Sequence, residues 1–178
     1  MAYPSWSYFP RNARPAPWVP PFVASVAAQQ ADVSTLEHQG PSSDEVLHLL
    51  APAWREQGFL VEETKKATDR IRRPVLYGED GREAVSYEID AWHDDHGVAV
   101  EVEAGRGTQN NADYRDIIRT SLLLDARFLA LLMPQRYAPP SLIKSPVQGY
   151  RRTYDLLDAL YASQRLRLPF EGVLLLGY

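Results

Sequence analysis

Two short runs of this sequence, RFLALLMP at residues 127–134 and GVLLLGY at residues 172–178, are almost wholly apolar. A strand with no polar face is typical of a sheet that is covered on both sides. A segment with helical periodicity precedes each run, so helices and buried strands alternate in this half of the chain. The sequence therefore predicts a central sheet between two layers of helices, a three-layer α/β/α fold.

The segment before the first apolar run predicts three antiparallel strands, at about residues 59–64, 84–92 and 97–104. The turn signals GEDG at residues 78–81 and HDDHG at residues 93–97 lie between them. A meander that is followed by helical crossovers produces both antiparallel and parallel strand pairs. We therefore expect the central sheet to be mixed.

Two helices can be placed from local signals. Ser42 and Glu45 have the spacing of a capping box, and at Pro52 the helix that follows is expected either to kink or to start a second turn. Asn111 is a candidate cap for a second helix. The apolar stripe of this second helix, which an amphipathic helix turns toward the core, consists of Tyr114, Ile117, Ile118, Ser121 and Leu122.

Residues 1–41 form a separate region that is rich in proline and in aromatic residues. Dense proline disfavours regular helix and central strand, so we expect an arm attached to a domain of residues 42–178. A disordered tail is the alternative, but disordered tails are usually poor in aromatic residues. We favour an extended arm that packs on its own domain or joins two copies in a homodimer.

The net charge of −4 conceals a segregation of acidic and basic residues along the chain. Residues 42–104 carry fifteen acidic residues and seven Lys or Arg, whereas residues 105–167 carry five and ten. An acidic pocket beside a basic flank suits a protein that holds metal ions and contacts phosphates. The overall pI of about 5.6 is a modest argument against nucleic acid as partner.

The composition excludes several classes of site and of protein. The chain has no cysteine, so disulfides, thiolate nucleophiles and thiolate-bound metals are excluded. No apolar run approaches the roughly 18 residues of a membrane helix, and the first residues lack the pattern of a signal peptide. We therefore expect a cytoplasmic protein that does not enter a membrane.

Carboxylates alternate with apolar residues on the second and third predicted strands. Because side chains alternate along a strand, Glu101 and Glu103 share one face, and Val98, Val100 and Val102 share the opposite face. If HDDHG closes a hairpin, Asp90 lies beside both of these glutamates. Such acids repel one another, and a divalent cation relieves the repulsion. A solvent-exposed strand with one polar face is the alternative reading of the same alternation.

The order of helix, three strands, helix and strand, with YEID on the second strand and VAVEVE on the third, resembles the PD-(D/E)XK nuclease superfamily. The resemblance covers about residues 43–133 and implies the restriction-endonuclease-like fold. It also implies that Asp90, Glu101 and the Val102 carbonyl bind one or two ions of Mg²⁺ or Mn²⁺. Glu103 stands where the family has a lysine that helps to activate water. Glu45 is an additional candidate ligand, and its alternative role is the capping box.

The resemblance implies a metal-dependent endonuclease that hydrolyses phosphodiester bonds in DNA, with Asp90, Glu101 and Glu103 as catalytic residues. Arg106, Arg115 and Arg119 are candidates for phosphate contacts, because guanidinium groups match phosphate oxygens. Each of them also fits an ordinary surface charge. A glutamate in the lysine position also allows a second hypothesis, a catalytically inactive module for binding or assembly.

His93 and His96 form a rival cluster in the predicted hairpin turn, together with two aspartates. Their spacing is compatible with a metal ion. Turns that face solvent are commonly this polar, so we expect an ordinary turn there.

Overall fold

The computed structural model describes residues 3–37, 41–64, 66, 68–105, 111–138, 146–163 and 165–178. The strands are β1 Ser5–Phe9, β2 Leu60–Val61, β3 Ile71–Tyr77, β4 Glu83–Ile89, β5 Ala91–His93, β6 Val98–Val102, β7 Phe128–Met133 and β8 Gly172–Gly177. The helices are α1 Val19–Ala28, α2 Gln30–Val33, α3 Ser43–Glu56, α4 Ala112–Ser121 and α5 Gly149–Ser163. A short 3₁₀ turn, Glu79–Gly81, joins β3 to β4.

The central sheet has six strands in the order β1-β8-β7-β6-β5-β2. The pairs β6–β7 and β7–β8 are parallel, whereas β1–β8, β5–β6 and β2–β5 are antiparallel. Both apolar runs form neighbouring strands in the middle of this sheet, and every residue of β7 and β8 is buried. The predicted three-layer α/β/α fold with a mixed sheet is confirmed.

Alternation along the strands divides the interior into two cores. Val98, Val100 and Val102 of β6 pack in the core under α1 and α3. Ala99, between them, packs in the second core, together with Ile117 of α4 and Leu157 of α5. By the same alternation Glu101 belongs to the face that α4 and α5 cover.

The prediction that residues 1–41 contain no regular helix is wrong, because Val19–Ala28 form α1. Residues Ser5–Phe9 form β1, which pairs with β8 at the edge of the central sheet, a position that the exclusion of a central strand allows. Pro20 and Pro21 occupy the first turn of α1, where a missing backbone N–H costs nothing. The buried aromatic side chains Tyr8, Phe9, Trp18 and Phe22 pack in the two cores of the same chain. Trp6 stays largely exposed.

The predicted three-strand meander needs a correction. The second predicted strand is divided at Asp90 into β4 and β5. Of the strands between α3 and α4, β2, β5 and β6 join the central sheet, whereas β3 and β4 form a separate two-stranded ribbon. The strands of this ribbon have seven residues each, whereas β2 has two and β5 has three. The predicted β5–β6 hairpin is present, and Gly97 closes it with a φ of +62°.

The helix signals are partly correct. Ser42 and Glu45 form the predicted capping box, and Pro52 lies inside a helix that continues to Glu56. Asn111 is the N-cap residue of α4, but its side chain makes no capping hydrogen bond and instead accepts one from Arg152.

The predicted buried stripe of α4 is wrong for most of its members. Tyr114, Ile118 and Leu122 are 46–48% exposed, and of the five predicted residues Ile117 is the one that packs in the core. The buried face instead carries Asp113, Asp116 and Thr120. Helix α4 therefore turns a polar face toward the sheet.

Among the described residues, no helix combines the length and the apolar character needed to cross a bilayer.

Candidate active site

Asp90 occupies the bend between β4 and β5, and backbone bonds fix it on both sides. Its carbonyl accepts from the backbone N–H of Glu62 at 2.9 Å, and its Oδ2 accepts from the backbone N–H of Val102 at 2.7 Å. Ala91 pairs with Val100 in the β5–β6 hairpin. One step further along this register, Asp90 stands opposite Glu101.

These residues line a cleft of about 350 Å³ between the ends of β4, β5 and β6 and the helices α3 and α4. The acidic residues of the cleft are Asp44, Glu62, Glu88, Asp90, Glu101, Glu103 and Asp116, and its arginines are Arg70, Arg115 and Arg119. The structure thus brings the three predicted carboxylates, Asp90, Glu101 and Glu103, into one cleft. Val102 lines the same cleft.

Two carboxylate oxygens in the cleft are buried without a donor. Glu101 is only 8% exposed and Asp116 only 1%. Among the described residues, neither Oε1 of Glu101 nor Oδ2 of Asp116 has a hydrogen-bond partner. A buried carboxylate oxygen without a partner is costly, because it has lost water and gained nothing in exchange. This pattern marks a place where a cation or a proton belongs.

Burial changes the proton affinities of the three predicted acids. Desolvation raises the pKa of Asp90 to about 7, against the opposing effect of the Val102 N–H, and the charge of Glu62 raises it further. Desolvation and then the charge of Asp90 raise the pKa of Glu101 well above its ordinary value. Desolvation and then a hydrogen bond with Asp116 raise the pKa of Glu103 to about 9. Without a cation, the cleft therefore retains protons at neutral pH.

Arg115 connects the two carboxyl groups on the α4 side of the cleft. Its Nη2 lies 3.0 Å from Oε1 of Glu103, and its Nε lies 3.1 Å from Oδ1 of Asp116. The carboxyl groups of Glu103 and Asp116 are also close enough to share a proton. The backbone of Glu103 is held from both sides, since its N–H donates to Leu132 and its carbonyl accepts from the Tyr178 hydroxyl at 2.7 Å. This part of the cleft is rigidly supported.

The donor set fits Mg²⁺ or Mn²⁺, but only with water as a partner. Within the part of the chain that the structure describes, no three His, Asp or Glu side chains stand together as a ready-made metal site. Mg²⁺ usually keeps several waters and takes one or two protein carboxylates. Asp90 and Glu101, with their all-oxygen chemistry and one buried unpartnered oxygen, satisfy that smaller requirement.

The structure does not bring Glu45 to the cleft. Its Oε2 accepts from the N–H and the hydroxyl of Ser42, each at 2.8 Å, and these bonds lower the pKa of Glu45. The neighbouring Asp44 lines the cleft instead. The capping-box interpretation therefore accounts for Glu45, and the first helix contributes the adjacent acid.

The three predicted arginines differ in where they lie and in what they contact. Arg106 lies outside the described residues. Arg115 is tied to the two carboxylates already described, with more than half of its side chain exposed. The Nη2 of Arg119 donates to the Glu88 carbonyl at 3.1 Å, and its guanidinium lies 5.3 Å from the Tyr87 ring centre. Both described arginines face the cleft from α4.

Sequence reasoning missed several residues of the cleft. Glu62 and Asp116 are acids contributed by segments remote from the β5–β6 hairpin, and Arg70 is paired with Glu88 on the ribbon. Arg72 reaches the same glutamate at 2.8 Å. The run DRIRRP at residues 69–74 was the available signal for the arginines. The spacing of Asp113 and Asp116 around one turn of α4 was the signal for a polar buried face.

The histidine cluster has a structural explanation. Nδ1 of His93 accepts from the backbone N–H of His96 at 3.4 Å, which leaves its Nε2–H to donate to the Gln57 carbonyl at 3.1 Å. The His93 ring also packs edge-on against Phe59. The Nδ1 atom of His93 thus closes the hairpin turn, and its Nε2 atom fastens the turn to the end of α3.

Comparison of the sequence with protein-family models gives no match, and comparison with curated proteins gives none either.

Proposed function

We propose that this protein is a PD-(D/E)XK-like endonuclease that hydrolyses phosphodiester bonds in DNA with the help of Mg²⁺ or Mn²⁺. The observation that carries the proposal is the pairing of Asp90 with Glu101 in a cleft where a buried oxygen of Glu101 has no donor among the described residues. Carboxylates that repel one another and lack donors are better explained by a cation than by stability.

The residues of the cleft have distinct parts in the proposed reaction. A divalent cation, when bound, polarises a phosphodiester and lowers the pKa of water. Asp90 and Glu101 would hold it, and the Val102 N–H fixes Asp90 in position. Arg115 and Arg119 orient the phosphate from the α4 side, and Arg70 does so from the ribbon.

Glu103 is the residue that departs from the family pattern. Its pKa of about 9 means that it holds a proton at neutral pH in the metal-free protein. It must lose this proton before it can accept one from water. Until then, Glu103 is a hydrogen-bond donor that can orient a water molecule or a phosphate oxygen.

A second candidate function is a nuclease fold that no longer cleaves and serves as a binding or assembly module. The bonds of Arg115 to Glu103 and Asp116 favour it, because a built-in cation already neutralises part of the cleft. The glutamate in the lysine position favours it as well.

Cleavage of supercoiled plasmid in Mg²⁺ or Mn²⁺ separates the two candidates. We expect the wild-type protein to nick or linearise the plasmid, and we expect Asp90→Asn and Glu101→Gln to reduce this to background. Asp95→Asn, in the exposed hairpin turn, is the matched control and should leave cleavage unchanged. Wild-type protein that cleaves no DNA with either cation, and whose melting temperature neither cation raises, supports the inactive module.

A palindrome-cutting enzyme needs two copies related by a two-fold axis. We propose that the N-terminal region supplies this contact through the edge strand β1 and the exposed Trp6. Light scattering should then show a dimer that Trp6→Ser weakens, and a wild-type monomer at all concentrations would contradict the contact.

A further inference from the structure

The ribbon of β3 and β4 has one packed face and one unpacked face. On the packed face, Val75 belongs to the second core, and the guanidinium carbon of Arg73 lies 4.2 Å from the centre of the Trp92 ring. Arg72 and Glu88 stand opposite each other in the register of the ribbon. Because side chains alternate along a strand, this pair lies on the unpacked face, away from the second core.

Two arginines, one in β3 and one just before it, bind a single carboxylate of β4. The Nη2 atom of Arg72 lies 2.8 Å from Oε1 of Glu88, and Nη1 of Arg70 donates to Oε2 of the same glutamate. The Arg70 and Glu88 side chains are about one-third exposed, and that of Arg72 is more than half exposed. We call these three residues the ribbon cluster. Ion pairs that water reaches contribute little to stability, so the fold alone does not explain two cations on one carboxylate.

The ribbon cluster borders the carboxylate cleft, since Arg70 and Glu88 both line it. Glu88 and Asp90 are two residues apart, which separates them by about 6–7 Å along an extended chain. This separation is close to that of neighbouring phosphates along one strand of a nucleic acid. A phosphate in the position of the Glu88 carboxylate is therefore one nucleotide away from a phosphate at Asp90.

A phosphodiester and a carboxylate are the same kind of acceptor for a guanidinium group. Each carries one negative charge that is shared by two oxygens, and the planar donors of arginine match both groups. In the ribbon cluster, each oxygen of Glu88 accepts from a different arginine. The two arginines thus form an anion site, and an acid of the chain itself occupies it.

We infer that Arg70 and Arg72 bind a backbone phosphate of DNA, the neighbour of the phosphate that is cleaved, and that Glu88 competes with DNA for them. The inference rests on the proposed function for the identity of the polyanion and for the position of cleavage. In the free protein, Glu88 cancels one of the two positive charges and holds both guanidinium groups beside the cleft. When DNA binds, the phosphate replaces the carboxylate. Arg70 thereby orients the substrate through the neighbouring phosphate.

Binding of a fluorescein-labelled duplex oligonucleotide in chelator, measured by fluorescence anisotropy, tests the inference without any cleavage. Glu88→Gln removes the competing charge and should lower the Kd for the duplex several-fold. Arg72→Gln should raise the Kd, and it should reduce the slope of log Kd against log salt concentration by about one, because one phosphate contact is lost. Adding Glu88→Gln to Arg72→Gln should have a smaller effect than Glu88→Gln alone, because one contested arginine is absent.

Two control variants separate the ribbon cluster from general charge and from folding. Glu83→Gln makes the same change of charge at an exposed position on the same strand, and it should leave the Kd almost unchanged. Arg73→Gln removes an arginine of the packed face that pairs with Asp94 at 3.3 Å. It should lower the melting temperature and leave the salt dependence as in the wild type. Glu88→Gln and Arg72→Gln should melt close to the wild type, because their ion pair is exposed.

Three results would overturn the inference. One is an equal gain in affinity from Glu88→Gln and Glu83→Gln, which would trace the gain to overall charge. Another is an unchanged salt dependence in folded Arg72→Gln protein. The third is a wild-type protein that binds no duplex in chelator at low salt.

The plasmid assay decides the endonuclease proposal separately. Plasmid cleavage without the expected changes in duplex binding would remove the ribbon cluster and keep the endonuclease. The expected changes in a protein that cleaves no plasmid would keep the cluster as a DNA contact of the inactive module.

Discussion

Helices α3 and α4 pack over opposite faces of the same sheet, and they do so with opposite chemistry. Helix α3 buries an apolar face, which consists of Val46, Leu47, Leu50, Ala51 and Trp54. Helix α4 buries Asp113, Asp116 and Thr120 beside Ile117, while Tyr114 and Ile118 are exposed. Burying polar groups in preference to available apolar ones costs stability. Helix α3 therefore packs through an apolar core, whereas α4 turns polar side chains toward the sheet, with Asp116 among those that line the cleft.

The largest expected loss of stability follows from a substitution in the core under α3. Trp54 is fully buried, stacks on Phe22 with ring centres 4.9 Å apart, and donates to the Ser25 hydroxyl at 3.1 Å. Trp54→Ala should lower the free energy of unfolding by about 3–5 kcal/mol, because it leaves a large cavity. Urea denaturation measures this value. A loss below about 1 kcal/mol would mean that α3 is not anchored by this core.

The acids of the cleft should make the stability of the metal-free protein depend on pH. Folding raises the pKa of Asp90 to about 7 and that of Glu103 to about 9, above their unfolded values near 4. The native chain therefore binds more protons than the unfolded chain, so the stability that these two groups contribute is greatest below about pH 4 and is lost as pH rises through about 7 and then about 9. Urea midpoints in chelator at three pH values measure it. Stability that rises over this range contradicts the account.

Neutralising one acid of the cleft should raise the free energy of unfolding, whereas Trp54→Ala should lower it. Glu101→Gln replaces a buried carboxyl group that has no donor among the described residues for one of its oxygens, and whose pKa burial raises well above its ordinary value. We expect the metal-free protein to gain roughly 1–3 kcal/mol at pH 8, because that cost disappears. Glu79→Gln, in the exposed turn of the ribbon, is the matched control and should change stability little. A destabilised Glu101→Gln protein would show that this carboxylate supports the fold.

The smallest effect is expected on the outer face of α4. Ile118→Ser should change the free energy of unfolding by less than about 0.5 kcal/mol, because the side chain is nearly half exposed. Ile117→Ser, one residue away and buried, is the contrasting variant and should be clearly destabilising. Equal losses at the two positions would show that a partner or a second copy covers the outer face.

The sequence predicted those features that depend on local periodicity. The two apolar runs became the central strands β7 and β8, and the alternation on β6 correctly gave Glu101 a different face from its neighbouring valines. The HDDHG signal correctly gave the hairpin. Each of these results needs only neighbouring residues and one strand pair.

Features that depend on remote contacts were not predictable in this way. The helical spacing of Tyr114 and Ile118 predicts a buried face, but both are exposed. Spacing identifies apolar residues and gives no sign that the opposite face of the helix, with Asp116, lines a carboxylate cleft. Asp44, Glu62 and Asp116 reach the cleft from three separate segments, so no spacing in the sequence brings them together. Dense proline predicts no helix in the N-terminal region, but two of these prolines occupy the first turn of α1, where proline is tolerated.

The proposed function requires a divalent cation between Asp90 and Glu101. The decisive measurement is a crystal structure of the wild-type protein grown in Mn²⁺, in which the anomalous scattering locates the metal. We expect an anomalous peak in contact with a carboxylate oxygen of each residue, at roughly 2.1–2.2 Å. A cleft with no peak at saturating Mn²⁺, in which these carboxyl groups instead bond to each other through a proton, would contradict it.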